Sequence, residues 1–148
     1  MPTYTTFEEL EIWQEARKLL KSVREICNRP RVKRDFSFTD QITRSTRSIS
    51  HNIAEGFECM TTPEFINFLG IAKRSTGETR SHFYDALDEL YITKEEFQLL
   101  TDHTKRIGRM IAGFIHYLQT VDQKKKRTLK NPINNQQSKI SNPITSSL

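Results

Sequence analysis

Cations recurring at helical spacing carry the chemistry most open to interpretation in this sequence. Lys124-Lys125-Lys126-Arg127 form a run, Arg44 and Arg47 stand three apart, Lys73 and Arg74 precede Arg80, and Lys105 precedes Arg109. At about 100° per residue the spacings of three, four and seven gather guanidinium and ammonium groups on one helix face, whereas the consecutive run would encircle a helix. A basic face of this kind neutralises phosphates and reads little base sequence; an ordinary solvated charged face is the plainer account of each cluster alone. No base-reading motif accompanies the clusters, so contact with a phosphate backbone is the most they support.

A competing chemistry would use His51 with Glu55, or Glu78 with His82, each spaced i,i+4 so that two metal ligands could share a helix face. The same pattern specifies no third ligand, and ordinary polar surface pairs account for both spacings. The sequence contains no Gly-rich phosphate loop, no nucleophile elbow and no Cys/His pairing of useful spacing. Cys27 and Cys59 both fall inside amphipathic patterns and read as small apolar side chains. A non-enzyme with no catalytic residue, no metal and no cofactor is therefore expected.

The charge balance restricts where a basic surface can come from. The chain has 148 residues and a net charge of +5, yet up to Val121 it holds 17 Lys+Arg against 17 Asp+Glu, while residues 122–148 hold six against one. The whole excess lies in the tail, so any basic patch on the folded part must arise from arrangement. Length bounds the chain to a single domain, and five Gly with five Pro are few for a β sandwich or a doubly wound sheet. No apolar run approaches a membrane span, and the start lacks a secretory pattern, so a soluble cytoplasmic protein is expected.

Four helical stretches must position these groups. The first covers about Phe7 to Asn28, with Thr6 and Glu9 as a capping box and a wide stripe of Ile12, Trp13, Ala16, Leu19, Leu20, Val23, Ile26 and Cys27. Trp13 is expected to be mostly buried. The segment from Arg29 to Asp35 reads as a connection, and a second helix starts near Ser37 or Thr39 and lasts to about Cys59, striped by Ile42, Ser45, Ile49, Ile53 and Phe57. Thr61-Thr62-Pro63-Glu64 opens a third helix carrying Phe65 to Leu90, and Thr93 with Glu96 opens a fourth through Leu118. Short loops between four such helices predict an all-α, antiparallel up-down-up-down four-helix bundle over 1–121, followed by a basic then polar flexible tail, 122–148, disordered from 128. The basic run is also able to extend the fourth helix.

On the second helix Arg44, Arg47, Ser48, His51 and Glu55 fall between about 140° and 240° from Ile42, with Asn52 near 280°, on the side away from its stripe. A solvated face laced with ion pairs is one reading. The other is a subunit contact in which Asn52 and Glu55 find fixed partners and Gly56 permits close backbone approach.

The run Ser48-Ile49-Ser50-His51-Asn52-Ile53-Ala54-Glu55-Gly56-Phe57, followed by Glu64-Phe65-Ile66-Asn67-Phe68-Leu69-Gly70-Ile71-Ala72-Lys73 and preceded by Phe7-Glu8-Glu9-Leu10-Glu11-Ile12-Trp13, resembles the four-helix bundle proteins encoded in 23S ribosomal RNA intervening sequences. Coverage is about Phe7 to Leu118; Ser50 and Arg74 stand where the family usually has Pro and Gly. The resemblance implies a non-enzymatic bundle, commonly a homopentamer, related to accessory proteins of diversity-generating retroelements that bind nucleic acid and partner a reverse transcriptase. It also implies that Trp13, Asn52, Glu55 and Gly56 belong to the family motif or to a subunit interface. A ring would repeat each modest basic cluster into a band able to follow phosphates of RNA or DNA. Two functions follow: a nucleic-acid-associated assembly factor, or a scaffold that docks a protein partner without nucleic acid.

Overall fold

The computed structural model describes residues 3–130. Helices α1 (Glu11–Cys27), α2 (Pro30–Lys33), α3 (Phe36–Phe57), α4 (Thr62–Asp88) and α5 (Lys94–Lys130) follow a 3-10 turn at Phe7–Glu9, and the described residues contain no strand. The four long helices form the antiparallel up-down-up-down bundle expected. α3 packs on α1 and α4, and α5 packs on α4 and α1, while among the described residues the backbones of the diagonal pairs do not approach closely. Among the described residues no helix is long and apolar enough to cross a membrane.

Local chemistry explains most of the boundaries. Thr93 and Glu96 make the capping box reciprocally, at 3.0 and 3.1 Å, and Thr61 Oγ1 accepts from the Glu64 N–H. Three starts differ from expectation. It is the N–H and hydroxyl of Thr5, not Thr6, that bond the Glu9 carboxylate, and the 3-10 turn delays α1 to Glu11, whose cap is Leu10. Asp35 caps α3 by accepting from the Phe38 N–H, so that helix begins before Ser37. The connection after α1 contains the single turn α2, entered at Pro30, where the missing N–H costs nothing. Between α4 and α5, Leu90 takes a φ of 59°. There the Tyr91 N–H bonds Ala86 O and the Leu90 N–H bonds Leu87 O, satisfying the last carbonyls of α4.

α5 runs on through Lys130, so the boundary expected at Val121 falls inside a helix and residues 128–130 are helical. The remaining tail lies outside the described residues. Every residue from Gln123 to Lys130 is exposed, a helical projection of about 12 Å past the bundle.

The core is apolar where stripes meet: Leu19, Val23, Ile42, Ile49, Ile53, Leu69, Phe83, Ile107 and Ile111 are fully or almost fully buried. The wide arc of α1 is explained within the chain, since it faces both α3 and α5. Trp13 is half-buried rather than mostly buried, because it sits at the edge of that arc. Its ring packs edge-on against Phe7 with centroids 5.2 Å apart, and Arg17 lies 5.8 Å over it.

The α3–α4 seam is made of small and hydroxyl residues. Thr79 Oγ1 lies 3.0 Å from Ser45 Oγ, and Ser75 Oγ lies 2.8 Å from Ser48 Oγ. One turn on, Asn52 Nδ2 donates to Ser48 O and lies 2.9 Å from Ser48 Oγ. At the end of the seam is Gly56, where a Cβ would stand 2.8 Å from Phe68 Cβ and 2.9 Å from Phe65 Cδ1. Gly56, read as a candidate for an outer contact, is thus turned toward α4 of the same chain, and Asn52 is tied to Ser48 of its own helix.

A buried ionic contact joins α1 to α5. Glu15 is 8% exposed; His103 Nε2 lies 2.7 Å from its carboxylate, with Lys18 and Arg106 at 3.4 and 3.7 Å. The hydrogen bond from His103, helped by Lys18, holds the Glu15 carboxyl below the usual carboxylate range despite burial. At the opposite end Arg29 pairs with Glu96 and donates to Tyr91 O, and the Tyr91 hydroxyl donates to Asp35 at 2.7 Å.

Two measurements check this packing. Gly56→Ala should destabilise the fold by about 1–3 kcal/mol in urea unfolding although alanine favours helix, whereas Gly77→Ala, whose Cβ would meet nothing within 4 Å, should stabilise by about 0.5–1 kcal/mol. Because the folded pKa of Glu15 is depressed, its contribution is present above the unfolded value near about 4.3 and is lost as pH falls through the folded pKa. Glu15→Gln should therefore be less stable than wild type at pH 7 and show a shallower loss of stability between about pH 4.5 and 2.

Candidate nucleic-acid interface

The seam that draws α4 toward α3 leaves its other flank facing α5, and there the two helices come close. A Cβ on Gly108 would stand 3.2 Å from Thr76 Oγ1, which itself donates to Lys73 O at 2.6 Å. Beside this crossing lies an open groove of about 400 Å³, lined by Lys73, Thr76, Gly77, Arg80, Lys105, Gly108 and Arg109. Lys73, Gly77 and Arg80 share a face of α4 at i, i+4 and i+7, so the two cations on that rim are about 10.5 Å apart along the axis. Lys105 and Arg109 form the α5 rim, one turn or about 6 Å apart. Gly108 lies at the crossing and Gly77 on the exposed α4 rim, so neither adds side-chain atoms to the groove.

The electrostatics are one-sided. No carboxylate lines the groove, and among the described residues none of its four cations takes part in an ion pair. Lys73, Lys105 and Arg109 are exposed and Arg80 is half-exposed. In water each pairwise repulsion at such separations stays below about 1 kcal/mol, so the fold tolerates cations on both rims.

Of the residues singled out from sequence, the structure brings Lys73, Lys105 and Arg109 together, with Arg80 from the same helical group completing the set. Arg74 is exposed on α4 but does not line the groove. Arg44 and Arg47 are exposed on α3, where Arg44 pairs with Asp40 at 3.2 Å. Lys124, Lys125, Lys126 and Arg127 ride the projecting end of α5, and Lys126 is tied to Asp122 at 2.8 Å. Glu55 and His51 face outward on α3 without ion pairs among the described residues. Around His82 the nearest carboxylates, on Glu78 and Asp85, stand 3.8 and 3.6 Å away. The described residues hold no cluster of three or more His, Cys, Asp or Glu able to grip a metal ion.

The comparisons place the chain. A family profile described as 23S rRNA-intervening sequence protein matches residues 8–113, most of the bundle. The chain belongs to this family. A crystal structure described as a protein with unknown function from the S23 ribosomal protein family of Bacteroides thetaiotaomicron shares 22% identity, covering 70% of this chain and 97% of that one with a TM-score of 0.64. At that identity the likeness concerns the fold. None of the curated proteins matches the chain. Within the family match lie Trp13, Asn52, Glu55, Gly56 and all four groove cations; the cations of the projecting helix lie beyond it.

Proposed function

We propose that this member of the 23S rRNA-intervening sequence family is a non-enzymatic, oligomeric, cytoplasmic protein that binds RNA through its phosphate backbone, as an accessory to an RNA or reverse-transcriptase complex. The observation that carries the reading is the α4–α5 groove, where four cations without acidic partners converge in a body whose formal charge up to Val121 is zero. Neutral bodies ordinarily pair their charges, and a local surplus of this kind suits a polyanion. Lys124 to Arg127 add a second source of charge on the projecting helix. Absence of any aromatic lining fits contact with phosphates in place of base stacking.

Oligomer formation rests on the outward Glu55 face and on Met60, 96% exposed just past the same end of α3. Assembly as a pentamer would repeat the groove around an axis. Light scattering at micromolar concentration is expected to report about five chains per particle, and a monomer would contradict it.

Binding is tested by salt titration with a labelled RNA. Affinity should fall steeply with salt and vary little with base sequence. Lys105→Ala/Arg109→Ala should flatten the slope of log affinity against log salt by about 1.4, roughly 0.7 for each single-strand phosphate that is no longer neutralised. Deleting residues 122–148 should weaken binding further while leaving the bundle helical. An intact chain that binds neither RNA nor DNA in about 50 mM salt would favour the scaffold that docks a protein partner.

A further inference from the structure

Within the groove nothing stacks, but past Arg80 the chemistry changes. Tyr84 follows Arg80 by four residues on α4, so the two side chains are neighbours on one helix face. The Tyr84 ring lies 4.9 Å from that of Phe97 on α5, at 71° to it, which places Tyr84 on the flank that α4 turns toward α5. The groove cations and this pair of rings therefore share one flank of the bundle.

The two rings differ in burial. Phe97 is half-buried and packs against the core, whereas Tyr84 is 57% exposed although its neighbour Phe83 is fully buried. Edge-on contact with an anchored ring restricts where an exposed tyrosine can turn while leaving much of it in solvent. Asp85 and Asp88, the next carboxylates on α4, line a separate pocket against α3 beside His82. Large apolar side chains scattered singly over a surface call for no explanation; an oriented ring one turn from a row of cations without acidic partners does.

We propose that Tyr84 is a stacking platform for one base of the RNA whose phosphates lie against Arg80 and Lys105. This inference rests on the nucleic-acid reading above and adds a base contact to it: the groove holds the backbone, and a nucleotide that passes Arg80 lays its base on the phenol ring. Every base has a π face, so the contact adds affinity without selecting a sequence. The neighbouring cations favour this polyanionic occupant over an apolar protein surface, which would leave them unneutralised.

The test separates ring from charge. Two labelled probes are compared by fluorescence anisotropy, a 12-nucleotide oligo-adenosine and an abasic oligomer of equal length that carries sugar and phosphate and no base. The proteins are the full-length wild type, Tyr84→Ala, Tyr84→Phe and Lys105→Ala/Arg109→Ala; alanine at this exposed position keeps α4 helical. The platform predicts that Tyr84→Ala weakens oligo-adenosine about tenfold, within the range that base–aromatic stacking supplies, and the abasic oligomer less than about twofold. Tyr84→Phe should stay within about twofold of wild type for both probes, and the charge variant should weaken both. Equal losses on the two probes with Tyr84→Ala, or none on either, overturn the platform and leave phosphate binding standing if the charge variant still weakens both. A loss with Tyr84→Phe as large as with alanine assigns the effect to the hydroxyl and overturns the platform as well. No loss with the charge variant overturns the nucleic-acid reading along with it. A Tyr84→Ala protein that binds oligo-adenosine as wild type does, yet scatters light as a smaller particle, assigns the rings to a contact between subunits instead.

Discussion

The close approach of α4 to both of its neighbours is the constraint on which the rest depends. On one flank Ser75 and Thr79 meet Ser48 and Ser45, and Gly56 admits Phe65 and Phe68; on the other, Thr76 meets Gly108. Larger residues at any of these places would push a helix outward by the width of a methyl group or more, a displacement that dense cores absorb poorly. The hydroxyls are satisfied at the seam or by carbonyls of their own helix, so the approach is made without stranded polar groups. The groove is a by-product of this geometry, because Lys73 and Arg80 come within reach of Lys105 and Arg109 only while α4 and α5 stay close.

Much of the bundle was legible in the sequence because large apolar residues at helical spacing mark each inward face and Thr-x-x-Glu marks helix starts. The α3 seam was not. A single angle measured from Ile42 treats a helix as having one neighbour, whereas α3 packs on both α1 and α4, and Ser45, Ser48, Asn52 and Gly56 lie together on its second flank at about 240° to 320°. Ser48 looks like surface until Ser75 of the partner helix meets its hydroxyl, and the Asn52 amide is held in turn by Ser48. Glu15 with His103, separated by 88 positions, was invisible for the same reason: no local pattern announces a pairing set by tertiary packing.

The candidate site shows the complementary limit. Helical spacing grouped Lys73 with Arg74 and Arg80, and Lys105 with Arg109, but no feature of the sequence states that Lys73, Arg80, Lys105 and Arg109 line a single groove while Arg74 stays outside it and Arg44 and Arg47 point from another helix. Net charge pointed elsewhere still, toward the C-terminal stretch, where α5 carries Lys124 to Arg127 past the end of the bundle. A neutral body can thus hold a concentrated basic surface away from the stretch that carries its net charge.

Lysine acetylation read by mass spectrometry, with and without a saturating RNA strand, tests most directly that this groove is where phosphates gather. All the lysines compared are exposed side chains, so accessibility alone does not rank them: Lys73 and Lys105 in the groove, Lys21, Lys33 and Lys94 elsewhere on the bundle, and Lys124 to Lys126 on the projection. The account predicts strong protection of Lys73 and Lys105, partial protection of the projecting lysines and none at Lys21, Lys33 or Lys94. Unchanged modification of Lys73 and Lys105, with protection confined to residues 124–126, would contradict it.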